Sequence, residues 1–133
     1  MREIIFRIWN TKTNNMLYDS DYIYINSTGE IIYVDWDSNR KKFIMLNNLK
    51  LMQFTGLKDK NDKEIYEGDI IDYDIEYWII KFNEGAFHLY RIEEDDKLCA
   101  DDTPKSIGIW AMHNSELKVI GNIYENPELL EKK

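Results

Sequence analysis

Apolar and polar residues alternate along most of this chain, and a period of two is the sequence signature of β-strands. In the first segment Ile4, Phe6 and Ile8 share one side, while Glu3 and Arg7 lie on the other. The same alternation returns in short segments separated by polar clusters, namely residues 22–25, 30–36, 69–74, 76–82, 86–92 and 117–124. The pattern therefore predicts many short strands joined by turns.

Three stretches do not follow this pattern. The apolar residues of 43–54 suit either a short helix or a strand broken at Asn47-Asn48, and 107–112 suits either a strand or a helical turn. Residues 93–106 combine a run of charges with a proline, which predicts an acidic surface loop.

The last segment predicts a short C-terminal helix. Asn126 suits the cap, Pro127 the first helical position and Glu128 the first turn, where the helix dipole favours an acid. Together the elements predict a mainly β protein of small antiparallel sheets or a barrel. We expect an N-terminal β region (1–50) and a β-barrel region (51–133) that form one compact unit.

Residues 54–74, "FTGLKDKNDKEIYEGDIIDYD", predict a corner of the backbone. Gly56 is expected to end a strand with positive φ, and Asn61-Asp62 to form the tip of a solvated turn. Gly68 is expected in a tight turn before the next strand, where Asp69 can accept hydrogen bonds from backbone amides. Gly121, inside the last strand, predicts a bulge or a close backbone approach.

The corner also allows a second interpretation as a metal site. Glu67, Asp69, Asp72 and Asp74 supply the carboxylates that hard cations prefer, and Asp72 and Asp74 would share one face of a strand. Apolar residues on the opposite face make an outward acidic face the simpler interpretation. We therefore expect no metal here.

Three segments carry a resemblance to a known family: "MREIIFRIWN", "LMQFTGLKDKNDKEIYEGDII" and "VIGNIYENPELL". Their order and spacing resemble those of the YopX family of phage and prophage proteins. The resemblance implies a small β-rich protein with an SH3-like barrel in its C-terminal part, encoded by a phage or prophage, and it implies no activity. The chain departs from the family pattern at Asn10, where Asp is expected, and at Asn61-Asp62, where Asn-Gly is expected.

The net charge of the chain limits the classes of molecule that it is expected to bind. The chain has a formal net charge of −8, and residues 51–133 carry nineteen Asp and Glu against ten Lys and Arg. Such a balance argues against sequence-independent binding of nucleic acid, because phosphates repel an acidic surface.

The residues that carry catalytic chemistry are sparse and scattered. His88 and His113 lie in separate segments, with His88 expected as a half-buried structural residue, and Cys99 lies among carboxylates that disfavour a thiolate. The sequence contains neither a nucleophile elbow nor a glycine-rich phosphate loop. We expect no catalytic residue, no cofactor and no enzymatic activity.

We expect a cytoplasmic protein in a bacterial host. A single cysteine fits a reducing compartment, the N-terminus lacks the features of a signal peptide, and no apolar run reaches the roughly 20 residues of a membrane span. Four tryptophans in so short a chain favour self-association or contact with another protein.

The leading hypothesis is therefore a non-enzymatic, homo-oligomeric protein that binds another, unidentified protein. The acidic C-terminal part suggests an alternative, a nucleic-acid mimic that inhibits a host DNA-binding protein. A third hypothesis is a nucleic-acid-associated module built on "NRKK" (39–42) beside Trp36 and Phe43, and a metal-dependent hydrolase is the least favoured.

Overall fold

The chain divides into two compact units in a computed structural model that describes residues 3–18, 23–37, 40–45, 48–92, 106–108 and 116–131. Unit 1 consists of Met1–Ile5 with Gln53–Lys133, and unit 2 of Phe6–Met52. Among the described residues, no helix combines the length and the apolar character that a membrane span requires.

Strands account for most of the described residues, and their pairings are antiparallel. The first six are β1 (Phe6–Asn10), β2 (Asn15–Leu17), β3 (Ile23–Ile25), β4 (Ile31–Asp37), β5 (Arg40–Met45) and β6 (Leu49–Lys58). The next six are β7 (Glu64–Tyr66), β8 (Asp69–Tyr73), β9 (Glu76–Asn83), β10 (Ala86–Arg91), β11 (Ser106–Gly108) and β12 (Lys118–Asn122). A 3₁₀ helix, Pro127–Glu131, follows. The predicted mainly β class is confirmed, whereas the SH3-like barrel stays a prediction.

Unit 2 holds the hairpin of β1 and β2 and the three-stranded sheet β3-β4-β5. The loop after β1 is organised by Asn10, whose Oδ1 accepts hydrogen bonds from Lys12 N at 3.0 Å and from Asn48 Nδ2 at 3.0 Å. An asparagine oxygen thus makes the turn for which the family pattern suggests aspartate. The segment 43–54 is extended in its described part, because β5 ends at Met45 and β6 begins at Leu49.

Unit 1 contains a five-stranded sheet in the order β11-β10-β9-β8-β12. Strict alternation on β9 and β10 places Trp78, Ile80 and Leu89 on the buried side. These side chains pack in one cluster with Ile71 of β8 and Leu117, which precedes β12. The core of this sheet therefore combines side chains of β8, β9 and β10 with a residue from the distant segment that precedes β12.

The corner between β6 and β8 is more elaborate than the sequence predicts. Gly56 has φ +90° but lies inside β6, so the expectation that it ends a strand is wrong. The pairing of β6 with β7 shifts in register between Phe54 and Lys58, which lie opposite Tyr66 and Glu64. Four residues of β6 thus match two of β7, and the glycine allows the bulge that absorbs the difference.

The Asp59 side chain links the loop of this corner to β12 by hydrogen bonds. Its Oδ1 accepts hydrogen bonds from Asn61 N at 2.8 Å and Lys63 N at 2.9 Å, while its Oδ2 accepts one from Val119 N at 2.9 Å. A second bond runs from Lys60 N to Leu117 O at 2.9 Å. Although partial burial alone would raise the pKa of Asp59, the three amides and the Lys63 charge lower it overall.

We expect Leu89→Ala to lower the free energy of unfolding by about 2–5 kcal/mol, because it leaves a cavity in a fully buried cluster. Phe82→Ala serves as the control, since Phe82 lies on the same side of the sheet but is 55% exposed. Urea denaturation of both variants checks this. Equal losses of unfolding free energy in the two variants would contradict the assignment of Leu89, rather than Phe82, to the core.

We expect Asp59→Asn to cost about 1–3 kcal/mol at neutral pH, because an amide cannot accept from all three N–H groups. The folded pKa of Asp59 lies below its ordinary value of 3.8. Its stabilisation is therefore fully present above that value and is lost as the pH falls through the lowered pKa. Chemical denaturation across acidic pH should show the two proteins converging.

The matched control is Asp62→Asn in the same loop, whose side chain is 86% exposed. This substitution should leave the stability at neutral pH nearly unchanged, because an exposed ion pair such as that of Asp62 with Lys58 contributes little. A cost for Asp59→Asn that persists undiminished at the lowest pH would show that the carboxylate charge is not what stabilises the corner.

Candidate functional site

The predicted turn and bulge residues of unit 1 lie close together, namely Gly68, Asp69, Gly121 and Asn126. Gly68 lies between β7 and β8 with φ +86°, and its N–H donates to Ile80 O at 2.8 Å. Its carbonyl accepts from Ile123 N at 3.0 Å. The tight turn is therefore held on one side by β9 and on the other by the residue after β12.

The buried side chain of Asp69 stabilises this turn by a hydrogen bond to its backbone. Its side chain is 1% exposed, and its Oδ2 accepts a hydrogen bond from Tyr66 N at 2.7 Å. In the pairing of β8 with β12 it lies opposite Asn122, which is also buried. The buried carboxyl oxygen satisfies a backbone amide of the turn, so Asp69 stabilises the turn instead of facing a ligand in solvent.

The pairing of β12 with β8 shifts in register between Val119 and Gly121, which lie opposite Ile71 and Ile70, so β12 bulges at this point. A Cβ at Gly121 would lie 2.7 Å from Cγ of Asn126. The glycine therefore serves both roles that the sequence offered, a bulge and a close approach.

Asn126 occupies the predicted cap position directly before the helix, but its side chain bonds to β12. Its Oδ1 accepts from Asn122 N at 3.2 Å, so the side chain turns back toward β12. Its backbone carbonyl accepts from Leu129 N at 3.1 Å, at the start of the 3₁₀ helix that begins with Pro127. Asn122 in turn accepts from Glu125 N at 2.8 Å, so two asparagines organise the chain reversal.

Glu67 and Tyr124 are the titratable pair of this corner. Burial raises the pKa of the Glu67 carboxyl, and burial followed by the negative charge of Glu67 raises the pKa of the Tyr124 phenol. Both groups thus hold their protons to higher pH than they would in water. The arrangement places one carboxyl near one phenol, and a single carboxyl does not make up a set of metal ligands.

The carboxylates of the alternative metal site are not brought together. Asp72 is half-buried on β8, whereas Asp74 lies beyond the end of that strand, in a turn with φ +50°. The expectation that these two share a strand face is therefore wrong. Within the described part of the chain, no group of three or more His, Cys, Asp or Glu is placed to hold a metal ion.

The other chemically notable residues are dispersed or lie outside the described residues. His88 is half-buried on β10, with its ring centroid 6.1 Å from that of Tyr90. Trp9 and Trp78 are buried, and Trp78 Nε1 donates to Tyr73 O at 3.1 Å. Cys99, His113, Trp110 and most of the acidic segment 93–106 lie outside the described residues, as does the first residue of "NRKK".

Ile75 is the surface residue that the sequence analysis missed. Asp74 and Ile75 form a two-residue loop between Tyr73 and Glu76, with φ +50° and +61°. Positive φ at both loop positions is the requirement of a type I′ turn, for which Asn-Gly is preferred. The one available signal is the position of Ile75, which lies between the alternating segments 69–74 and 76–82.

We expect Gly121→Ala to destabilise the protein by about 1–3 kcal/mol, because the new methyl overlaps the Asn126 side chain. In an Asn126→Ala background the same substitution should cost less, since the overlapping atoms beyond Cβ are gone. A double-mutant cycle by urea denaturation measures the coupling. Additive costs would contradict a direct approach of Gly121 to Asn126.

Comparison with known proteins places the whole chain among related structures. It is similar to the crystal structure of protein EF1440 from Enterococcus faecalis, with a TM-score of 0.61 and 26% identity over 98% of this chain and 100% of that one. It is also similar to the crystal structure of protein yopX from Bacillus subtilis, with a TM-score of 0.60 and 22% identity over 97% and 98%. A search of curated proteins gives no match.

The family described as YopX protein matches residues 5–131. This range contains the corner, the bulged β12 and the C-terminal 3₁₀ helix, and it includes almost all of the segments that carried the resemblance. The predicted family is thereby confirmed: the chain belongs to the YopX family.

Proposed function

We propose that this YopX-family chain is a non-enzymatic accessory protein that binds another protein through the tip of the β8–β9 hairpin. In this proposal it is encoded by a phage or prophage, acts in the cytoplasm of the bacterial host and forms homo-oligomers. The observation that carries the proposal is the conformation and exposure of Ile75.

Ile75 combines two unfavourable features. A β-branched residue with positive φ is a genuine outlier, and the left-handed conformation costs roughly 1–2 kcal/mol for an L-residue. Its side chain is 87% exposed, so burial within this chain does not offset that cost. An exposed, strained apolar residue at a loop tip supports a contact that forms only with a partner.

The surroundings of Ile75 indicate the chemistry of that partner. Asp74 is exposed beside it, and Glu76 lies on its other side, 3.6 Å from the Arg91 guanidinium. The tip therefore presents one apolar side chain beside the exposed carboxylate of Asp74, while the carboxylate of Glu76 is paired with Arg91. A protein with an apolar pocket bordered by Lys or Arg would complement both features.

We expect Ile75→Asn to remove partner binding while leaving the fold as stable as before or slightly more stable, because Asn tolerates positive φ. Tagged wild-type and variant proteins are compared as baits in nuclease-treated lysate of a bacterial host. The supporting result is a captured protein that the variant loses, together with an unchanged or raised melting temperature.

Ile4→Asn is the matched control, since Ile4 is another isoleucine that is 59% exposed. It should leave capture unchanged. Equal capture by wild type and Ile75→Asn, or equal loss in both variants, would contradict a role for the hairpin tip. Sedimentation velocity of the purified proteins tests the homo-oligomer, and a monomer at all concentrations would remove that part of the proposal.

A further inference from the structure

The last strand of the five-stranded sheet, β12, has a strand beside it on one edge only among the described residues. On that side it pairs with β8 from Lys118 to Asn122. A free strand edge presents backbone N–H and C=O groups to which a strand of another molecule can bind, and folded proteins normally protect such edges. We refer to the side of β12 away from β8, with Leu117 directly before the strand, as the outer edge.

The first part of the outer edge is covered by the loop between β6 and β7. Val119 N donates to Asp59 Oδ2 at 2.9 Å, and Leu117 O accepts from Lys60 N at 2.9 Å. Residues two apart in a strand direct their backbone groups to the same edge, so both bonds lie on one side of β12. The Asp59 carboxylate thus occupies the place where a paired strand would offer a carbonyl oxygen.

The second part of the outer edge is covered by the chain that follows β12. Asn126 Oδ1 accepts from Asn122 N at 3.2 Å, and Asn126 N donates to Asn122 O at 2.9 Å. Both backbone polar groups of Asn122 are therefore bonded to one residue. The outward positions change from Leu117 and Val119 to Asn122 because the register shift before Gly121 inserts one residue into β12.

Both coverings end in a side chain and not in a further strand. A carboxylate or an amide oxygen satisfies one backbone N–H, but it offers no row of donors and acceptors on its far side. The ladder of hydrogen bonds therefore stops at β12. Gly121 contributes to this arrangement, because a Cβ there would lie 2.7 Å from Cγ of Asn126 and would displace that side chain from the strand.

We propose that Asp59 and Asn126 are edge caps, which prevent the outer edge of β12 from pairing with β12 of a second copy of this chain. Removing a cap frees the same backbone groups in every copy. Two such edges complement each other in an antiparallel, twofold contact, since each offers the N–H and C=O groups that the other lacks. This inference goes beyond the proposed function and does not depend on it, because it identifies an edge that the proposed homo-oligomers do not use.

Asp59→Ala and Asn126→Ala, each made in the full-length chain, test the proposal. Sedimentation velocity over a range of concentrations measures self-association at moderate salt, where the net charge of −8 is partly screened. We expect each variant to self-associate about tenfold more tightly than the wild type, because the freed backbone groups regain hydrogen bonds only in the associated form. Asn126→Ala leaves the Asp59 cap in place and carries the test alone if Asp59→Ala does not fold.

Leu89→Ala is the matched control, because it weakens the core cluster and leaves both edge caps intact. It should associate no more tightly than the wild type at a temperature where circular dichroism shows every compared variant to be folded. Equal association of Leu89→Ala and the cap variants would overturn the proposal, since general destabilisation would then explain the effect.

Amide hydrogen exchange reports on the outer edge itself. In Asp59→Ala the Val119 amide should exchange faster than in the wild type in dilute solution and slow down again as the protein concentration rises. The Asn122 amide should respond in the same way in Asn126→Ala. The proposal is also overturned by folded cap variants that associate no more tightly than the wild type, or by association without renewed protection of these amides.

Discussion

The hydrogen bond from Val119 N to the Asp59 carboxylate joins residues that are 60 positions apart, and the corner of unit 1 depends on it. The same carboxylate accepts the amides of Asn61 and Lys63, so one side chain organises its own loop and receives β12. Joining distant segments carries a chain-entropy cost that grows slowly with their separation. Burial of Leu117 and Val119 in the core cluster offsets that cost. The loop, β12 and the core are therefore expected to form as one cooperative unit.

Sequence reasoning succeeded where the determining chemistry is local. The sequence predicts a turn at Gly68 and a bulge at Gly121 because a residue without Cβ can adopt positive φ and allows close approach, and the structure gives positive φ at the first and a register shift at the second. The sequence does not single out Asp59, which is one of several charged residues beside the predicted turn at Asn61-Asp62 but is only 7% exposed. Nothing near Asp59 in the sequence indicates that its third amide comes from β12.

The turn at Asp74-Ile75 shows a different limit. Turn prediction relies on residues that prefer positive φ, and isoleucine is among the least suited to it. Here the register comes from the strands, because Ile71 opposite Trp78 must place both side chains in the core, and only two residues then remain for the loop. Tertiary packing thus imposes a conformation that local preference opposes. The identity of the residue at the tip is consequently free to serve a contact outside the chain.

The exposed tip of the β8–β9 hairpin determines how salt should act on the proposed contact. Salt screens the charge of the Asp74 carboxylate beside Ile75, since the Debye length is about 10 Å at 0.1 M salt. It leaves intact the attraction of the apolar Ile75 side chain for a pocket. The contact should therefore lose only its electrostatic part as the salt concentration rises.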